Sequence, residues 1–124
     1  MNENLRKMVE KDPDGLLTYE YIANHIDTVR PDIDDLIENM LRADRTGQFL
    51  VSTARYLHAI DPEAFAGAID KLVVYAIERD REHRYLGDLL ADFYGPDFAS
   101  HAAELSAADN NFRRIYKRLY PSGF

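Results

Sequence analysis

Two segments of equal length decide the fold: residues 33–57, IDDLIENMLRADRTGQFLVSTARYL, and residues 69–93, IDKLVVYAIERDREHRYLGDLLADF. In both, apolar residues recur at helical spacing, as on one face of an α-helix, and no strand-like alternation is sustained. A shift of 36 residues superposes the two patterns, and only Thr53 is clearly polar among the ten paired positions. Two helices and the turn between them are therefore predicted to occur twice. The paired positions are Ile33, Leu36, Ile37, Met40, Leu41, Phe49, Leu50, Thr53, Ala54 and Leu57, matching Ile69, Leu72, Val73, Ala76, Ile77, Tyr85, Leu86, Leu89, Leu90 and Phe93.

Prolines mark the joints between these units. Pro31, Pro62 and Pro96 each follow an apolar helical segment and precede an acidic residue. Proline at the first helical position costs no hydrogen bond, and an acid in the first turn complements the helix dipole. The pattern predicts helices near 2–11, 18–29, 32–43, 47–60, 62–79, 82–94, 97–107 and 110–120. They form one helical domain over residues 1–124, with hairpins near 2–29, 32–60, 62–94 and 97–120.

The fold class is therefore all-α, with about eight helices in stacked antiparallel hairpins that bury their stripes against one another. The unit length resembles α-α repeat families such as HEAT and tetratricopeptide proteins, in architecture alone, since the chain has no tryptophan for the tetratricopeptide signature. A compact helical bundle would use the same stripes. A winged helix over residues 17–52, with Phe49–Val51 as a strand, is an alternative that the 36-residue register disfavours.

Composition narrows the chemistry. The 124 residues carry a net charge of −7 and no cysteine, which excludes disulfides and thiolate metal sites and fits the cytoplasm. No signal peptide or membrane-spanning segment is expected. The acidity lies mainly in residues 31–97, and such a surface attracts a basic partner and repels nucleic-acid phosphates.

Catalytic and metal-binding patterns are weak. Glu78, Asp80, Glu82 and His83 are the densest set of potential ligands, but arginines alternate with them, so we expect ion pairs there and no metal or cofactor. An alternative function is a small helical enzyme or ligand-binding bundle with a pocket between hairpins. That alternative requires two or more of His25, His58 and His83 to converge with acids in a deep pocket.

The favoured function is a protein–protein interaction module: an adaptor, or an acidic inhibitor of the immunity-protein type that binds a basic partner. The predicted binding face uses positions off the apolar stripes of the second helices, where tyrosine and arginine are favoured interface anchors. His58 is expected to be exposed there. The predicted partner-binding residues are Arg55, Tyr56, His58, Arg84, Asp88 and Asp92.

A second alternative is nucleic-acid binding through the C-terminal helix. Arg113, Arg114, Lys117 and Arg118 alternate with aromatic and apolar residues there, as in a phosphate track with stacking rings. Because those rings lie on the core stripe, we expect them to be buried, and nucleic-acid binding is the less favoured function.

Overall fold

The computed structural model describes residues 1–122, and within that range it contains eight α-helices and no strand. The all-α prediction is confirmed. The winged-helix alternative is wrong, because Phe49–Val51 lie inside a helix. The helices are α1 (Glu3–Val9), α2 (Leu16–Asn24), α3 (Ile33–Ala43), α4 (Gln48–Ile60), α5 (Ala66–Arg79), α6 (Gly87–Tyr94), α7 (Ala102–Ala108) and α8 (Asn110–Leu119).

The helices pack as a compact bundle around one apolar core. Helices α2, α4 and α6 contact one another in turn and form one row, which we call the second-helix row. Helix α3 contacts α5 in the other row, and α8 packs against both α5 and α6. The most extensive pair is α4 with α5, whereas α3 and α4 have little direct contact beyond their connecting turn. No helix within residues 1–122 is long and apolar enough to cross a membrane.

The paired apolar positions supply most of the core. Leu36 and Leu72 are fully buried, as the 36-residue register predicts. Thr53 is fully buried as well, with its hydroxyl 3.2 Å from the sulfur of Met40. Four of the paired positions are only half-buried, and they are Ile33, Phe49, Tyr85 and Phe93.

Several helices begin later or end earlier than the periodicity predicts. Helix α5 begins at Ala66 because the carboxylate of Asp61 first accepts the amide of Ala64 (3.0 Å) and closes a separate turn. Helix α2 ends at Asn24, five residues before the predicted end. Around Pro31 and Pro96 the chain forms short 3-10 turns, at Arg30–Asp32 and Phe98–His101, before α3 and α7 begin.

Candidate functional site

The predicted partner-binding residues are only partly brought together. Arg55 of α4 lies against α6, where its guanidinium pairs with Asp92 and, at 3.5 Å, with Asp88. The hydrogen bond to Asp92 and the charges of both carboxylates raise the pKa of Arg55 above its ordinary value. These three side chains therefore form one charged cluster that bridges two helices.

Tyr56 connects α4 to α2, its other neighbour within the row. Its ring is half-buried and meets the ring of Tyr19 edge-on, with centroids 6.4 Å apart. Its hydroxyl donates a hydrogen bond of 3.4 Å to the carbonyl oxygen of Ala23. Tyr19, which the sequence analysis missed, thus becomes part of the same surface. We call this surface the second-helix face and define it as Tyr19, Arg55, Tyr56, Asp88 and Asp92.

The other two predicted residues lie elsewhere. His58 is half-buried rather than exposed, because its ring stacks on Phe93 of α6 with centroids 4.3 Å apart and planes 19° apart. Arg84 lies in the turn before α6 and pairs with Glu82 at 2.6 Å. The prediction that His58 is exposed is therefore wrong. Arg84 is exposed, but in a turn rather than on a helix face.

Three buried aspartates organise the turns that precede α2, α4 and α6. Asp12, Asp44 and Asp80 are each no more than 2% exposed. Asp44 accepts hydrogen bonds from the amides of Thr46, Gly47, Phe49 and Leu50, at 2.8–3.1 Å. Asp80 accepts from the amides of residues 84–86, and Asp12 from those of residues 14, 15 and 18. Helix α6 begins at Gly87, directly after the turn that Asp80 holds, rather than at residue 82.

These turns pack on one another in chain order. The third residue after each aspartate has positive φ: 107° at Gly15, 90° at Gly47 and 56° at His83. A Cβ on Gly15 would lie 3.1 Å from the Cβ of Asp44, and one on Gly47 would lie 3.4 Å from the Cβ of Asp80. His83 is exposed, and its side chain is therefore accommodated at the last turn of the three.

Three of the potential metal ligands, Asp80, Glu82 and His83, lie in the third of these turns. The carboxylate of Asp80 is occupied by amide donors, and Glu82 pairs with Arg84. No group of three or more histidine or carboxylate side chains within residues 1–122 is placed to hold a metal ion.

The three histidines of the enzyme alternative do not converge. His25 is exposed beside Tyr21 after α2, and His83 lies in the turn before α6. His58 lines a cavity of about 220 Å³ together with Asp70 and Asp109, among others. Both of these acids already have partners, since Asn111 donates to Asp70 (3.0 Å) and the Tyr94 hydroxyl donates to Asp109 (2.8 Å). Burial and the bond to Asp109 raise the pKa of Tyr94, so this hydroxyl stays protonated.

The C-terminal helix α8 buries most of its aromatic stripe. Phe112 is fully buried and Tyr116 is 8% exposed, whereas Tyr120, just after the helix, is 44% exposed. The rings of Phe112 and Tyr116 therefore belong to the core, which leaves Tyr120 as the exposed ring beside the basic residues of α8.

Comparisons of the chain with protein-family models, with curated proteins and with solved structures give no match.

Proposed function

We propose that this chain is a protein–protein interaction module that binds a basic partner protein through the second-helix face. The observation that carries the proposal is the placement of Arg55 between Asp88 and Asp92, next to the Tyr19–Tyr56 ring pair. Three helices, α2, α4 and α6, contribute to this one surface.

The side chains of this face are held in place before any partner binds. Arg55 is fixed by two carboxylates and Tyr56 by a ring contact and a hydrogen bond. Side chains that are already ordered lose little conformational entropy on binding, which favours affinity. Arginine and tyrosine are also the residue types that most often anchor interfaces.

The charge of the face favours a basic partner. Asp88 and Asp92 share a single arginine, so a cation from a partner could pair with carboxylate oxygens that Arg55 leaves accessible. The net charge of −7 adds long-range attraction, which raises the association rate with a cationic protein. Such a module would serve as a cytoplasmic adaptor, or as an inhibitor that covers a basic enzyme, and the repeated turns would be its scaffold.

A charge reversal with a matched control tests the proposal. Asp92→Lys reverses one carboxylate of the face, whereas Glu38→Lys makes the same charge change on the row of α3 and α5. Lys71 pairs with Glu38 between those two helices, much as Arg55 pairs with acids between α4 and α6. Each tagged protein is incubated with native lysate, and captured proteins are quantified by mass spectrometry.

We expect Asp92→Lys to reduce capture of the basic partner at least about tenfold, because a cation of the partner then meets a like charge, which costs several kcal/mol. Glu38→Lys should retain wild-type capture. Equal capture by both variants would contradict the choice of face. A wild-type protein that captures nothing above a tag-only control would contradict the function itself.

A further inference from the structure

We propose that the cleft between the second and third aspartate turns binds an oxyanion of the phosphate type. This cleft, which we call the arginine cleft, has a volume of about 230 Å³. That is below the range of about 300–1,000 Å³ typical of pockets for larger organic ligands, and it suits a small ion. Its charged lining residues are Arg45, Arg79, Asp80, Arg81, Glu82 and Arg84.

One arginine forms the fixed wall of the cleft. The guanidinium of Arg79 donates hydrogen bonds to the carbonyl oxygens of Leu41 and Asp44, the latter at 2.7 Å. It also lies over the ring of Tyr75, at 5.3 Å from the centroid. These contacts place one positive charge beside the turn that carries Arg45, before any ligand arrives.

Two further arginines are available for an anion. Arg45 and Arg81 are exposed, and neither side chain has a hydrogen bond or ion pair with any residue in the range 1–122. Arg84 shares its charge with Glu82. A planar guanidinium donates two parallel hydrogen bonds to a phosphate, so convergent arginines favour this class of ligand over a monovalent halide.

The local charge of the cleft opposes that of the whole chain. Four arginines line it, against Asp80, which already accepts three amide hydrogen bonds, and Glu82. In a protein of net charge −7, this leaves a locally positive depression next to the stacked turns. A phosphate group there would gain charge-assisted hydrogen bonds from at least two separate turns, those at residues 44–47 and 80–86.

The ligand chemistry has two sources: free inorganic phosphate, or a phosphoryl group carried by a larger molecule. Isothermal titration calorimetry at constant ionic strength measures the affinity of the protein for inorganic phosphate and for O-phosphoserine. The test variant is Arg45→Ala/Arg81→Ala. The control variant is Arg6→Ala/Arg30→Ala, which removes the same number of arginines outside the cleft. Circular dichroism verifies that both variants remain folded.

We expect the cleft variant to bind phosphate at least about tenfold more weakly than wild type, because two charge-assisted contacts are lost. The control variant should bind within about twofold of wild type. Tighter binding of phosphate than of O-phosphoserine identifies the free ion as the ligand, and the reverse order identifies a carried phosphoryl group. Equal weakening in both double variants, or no saturable phosphate binding by wild type, would overturn the proposal.

Discussion

The carboxylate of Asp12 is ionised in the protein interior because its hydrogen bonds compensate for burial. Burial raises the pKa of Asp12, but the Thr18 hydroxyl (2.6 Å) and the amides of Thr18, Gly15 and Asp14 outweigh it. The pKa of Asp12 is therefore held below its ordinary value of 3.8. Folding therefore stabilises the charged form of the Asp12 carboxylate, and the charged carboxylate in turn stabilises the fold.

This linkage predicts how stability depends on pH. Replacing Asp12→Asn should lower the free energy of unfolding at neutral pH by about 1–2 kcal/mol, because the amide nitrogen cannot accept a hydrogen bond from Thr18. A depressed folded pKa contributes stability above the unfolded value of 3.8 and loses it as pH falls through the folded value. The difference between wild type and variant should therefore stay constant above about pH 5 and shrink as the pH falls from there through the folded pKa of Asp12.

Urea unfolding at a series of pH values measures this difference. Asp14→Asn is the control, because the Asp14 carboxylate is exposed and accepts one amide, from Leu16 at 3.0 Å. A gap between wild type and Asp12→Asn that stayed constant down to the lowest pH would show that shape, rather than charge, accounts for the role of Asp12.

The stacked turns differ in whether the residue with positive φ can carry a side chain. Gly47 has a φ of 90° and lies against the third turn, whereas His83 has a φ of 56° in the last turn and is exposed. Gly47→Ala should lower the free energy of unfolding by about 1–3 kcal/mol, because an L side chain is strained at that φ. His83→Gly should raise it by about 1 kcal/mol, because it removes the cost of a left-handed non-glycine residue.

Thermal and chemical unfolding of the two variants give these opposite signs. If His83→Gly were instead as destabilising as Gly47→Ala, the imidazole of His83 would have to make a stabilising contact that offsets its backbone strain.

At the level of helices and turns, periodicity in the sequence predicts most of the fold but little of the turn structure. The stripe of α3 recurs in α5, and burial of Leu36 and Leu72 follows from spacing alone. The first aspartate turn is missed because Asp12 precedes Asp44 by 32 residues, not 36. The deep burial of the three aspartates cannot be predicted from the sequence either, since it depends on each turn packing against the next.

The charged cluster of the second-helix face can be predicted from the sequence. The 36-residue shift places Arg55 opposite Ala91, and Asp88 and Asp92 flank that position on the same helical face. The ring contacts within the same row cannot be predicted in this way, because they depend on how individual side chains orient where two helices meet. The packing of Tyr56 on Tyr19 and the stacking of His58 on Phe93 are of this second kind.

Across the whole molecule, helix contacts follow chain order, and this arrangement determines how the bundle should open. Helix α2 packs on α3 and α4, α3 on α5, and α4 on α5 and α6, while α8 packs on α5 and α6 at the other end. Within residues 1–122, no extensive pair joins α2 or α3 to α7 or α8. The central helices α4 and α5 therefore have neighbours on both sides, whereas α1 and α7 lie at the two ends of the bundle.

Stability should consequently be graded from the centre to the ends. When units contact only their neighbours, terminal units can open without unfolding the rest. We expect amides of α4 and α5 to exchange hydrogen only through global unfolding, and those of α1 and α7 to exchange with free energies lower by at least about 1 kcal/mol. Native-state hydrogen exchange, followed residue by residue across low denaturant concentrations, measures both the free energies and their denaturant slopes.

Shortening one core side chain of α1 distinguishes graded opening of the bundle from a single cooperative unfolding transition. Leu5 is buried in α1, and Leu5→Ala should accelerate exchange in α1 far more than in α8, because the two helices share no extensive contact. If the core were instead one cooperative unit, the variant would lower the protection of every helix equally, and all slopes would match the global value. That result would mean that the continuous apolar core, rather than the order of helix contacts, governs how the protein unfolds.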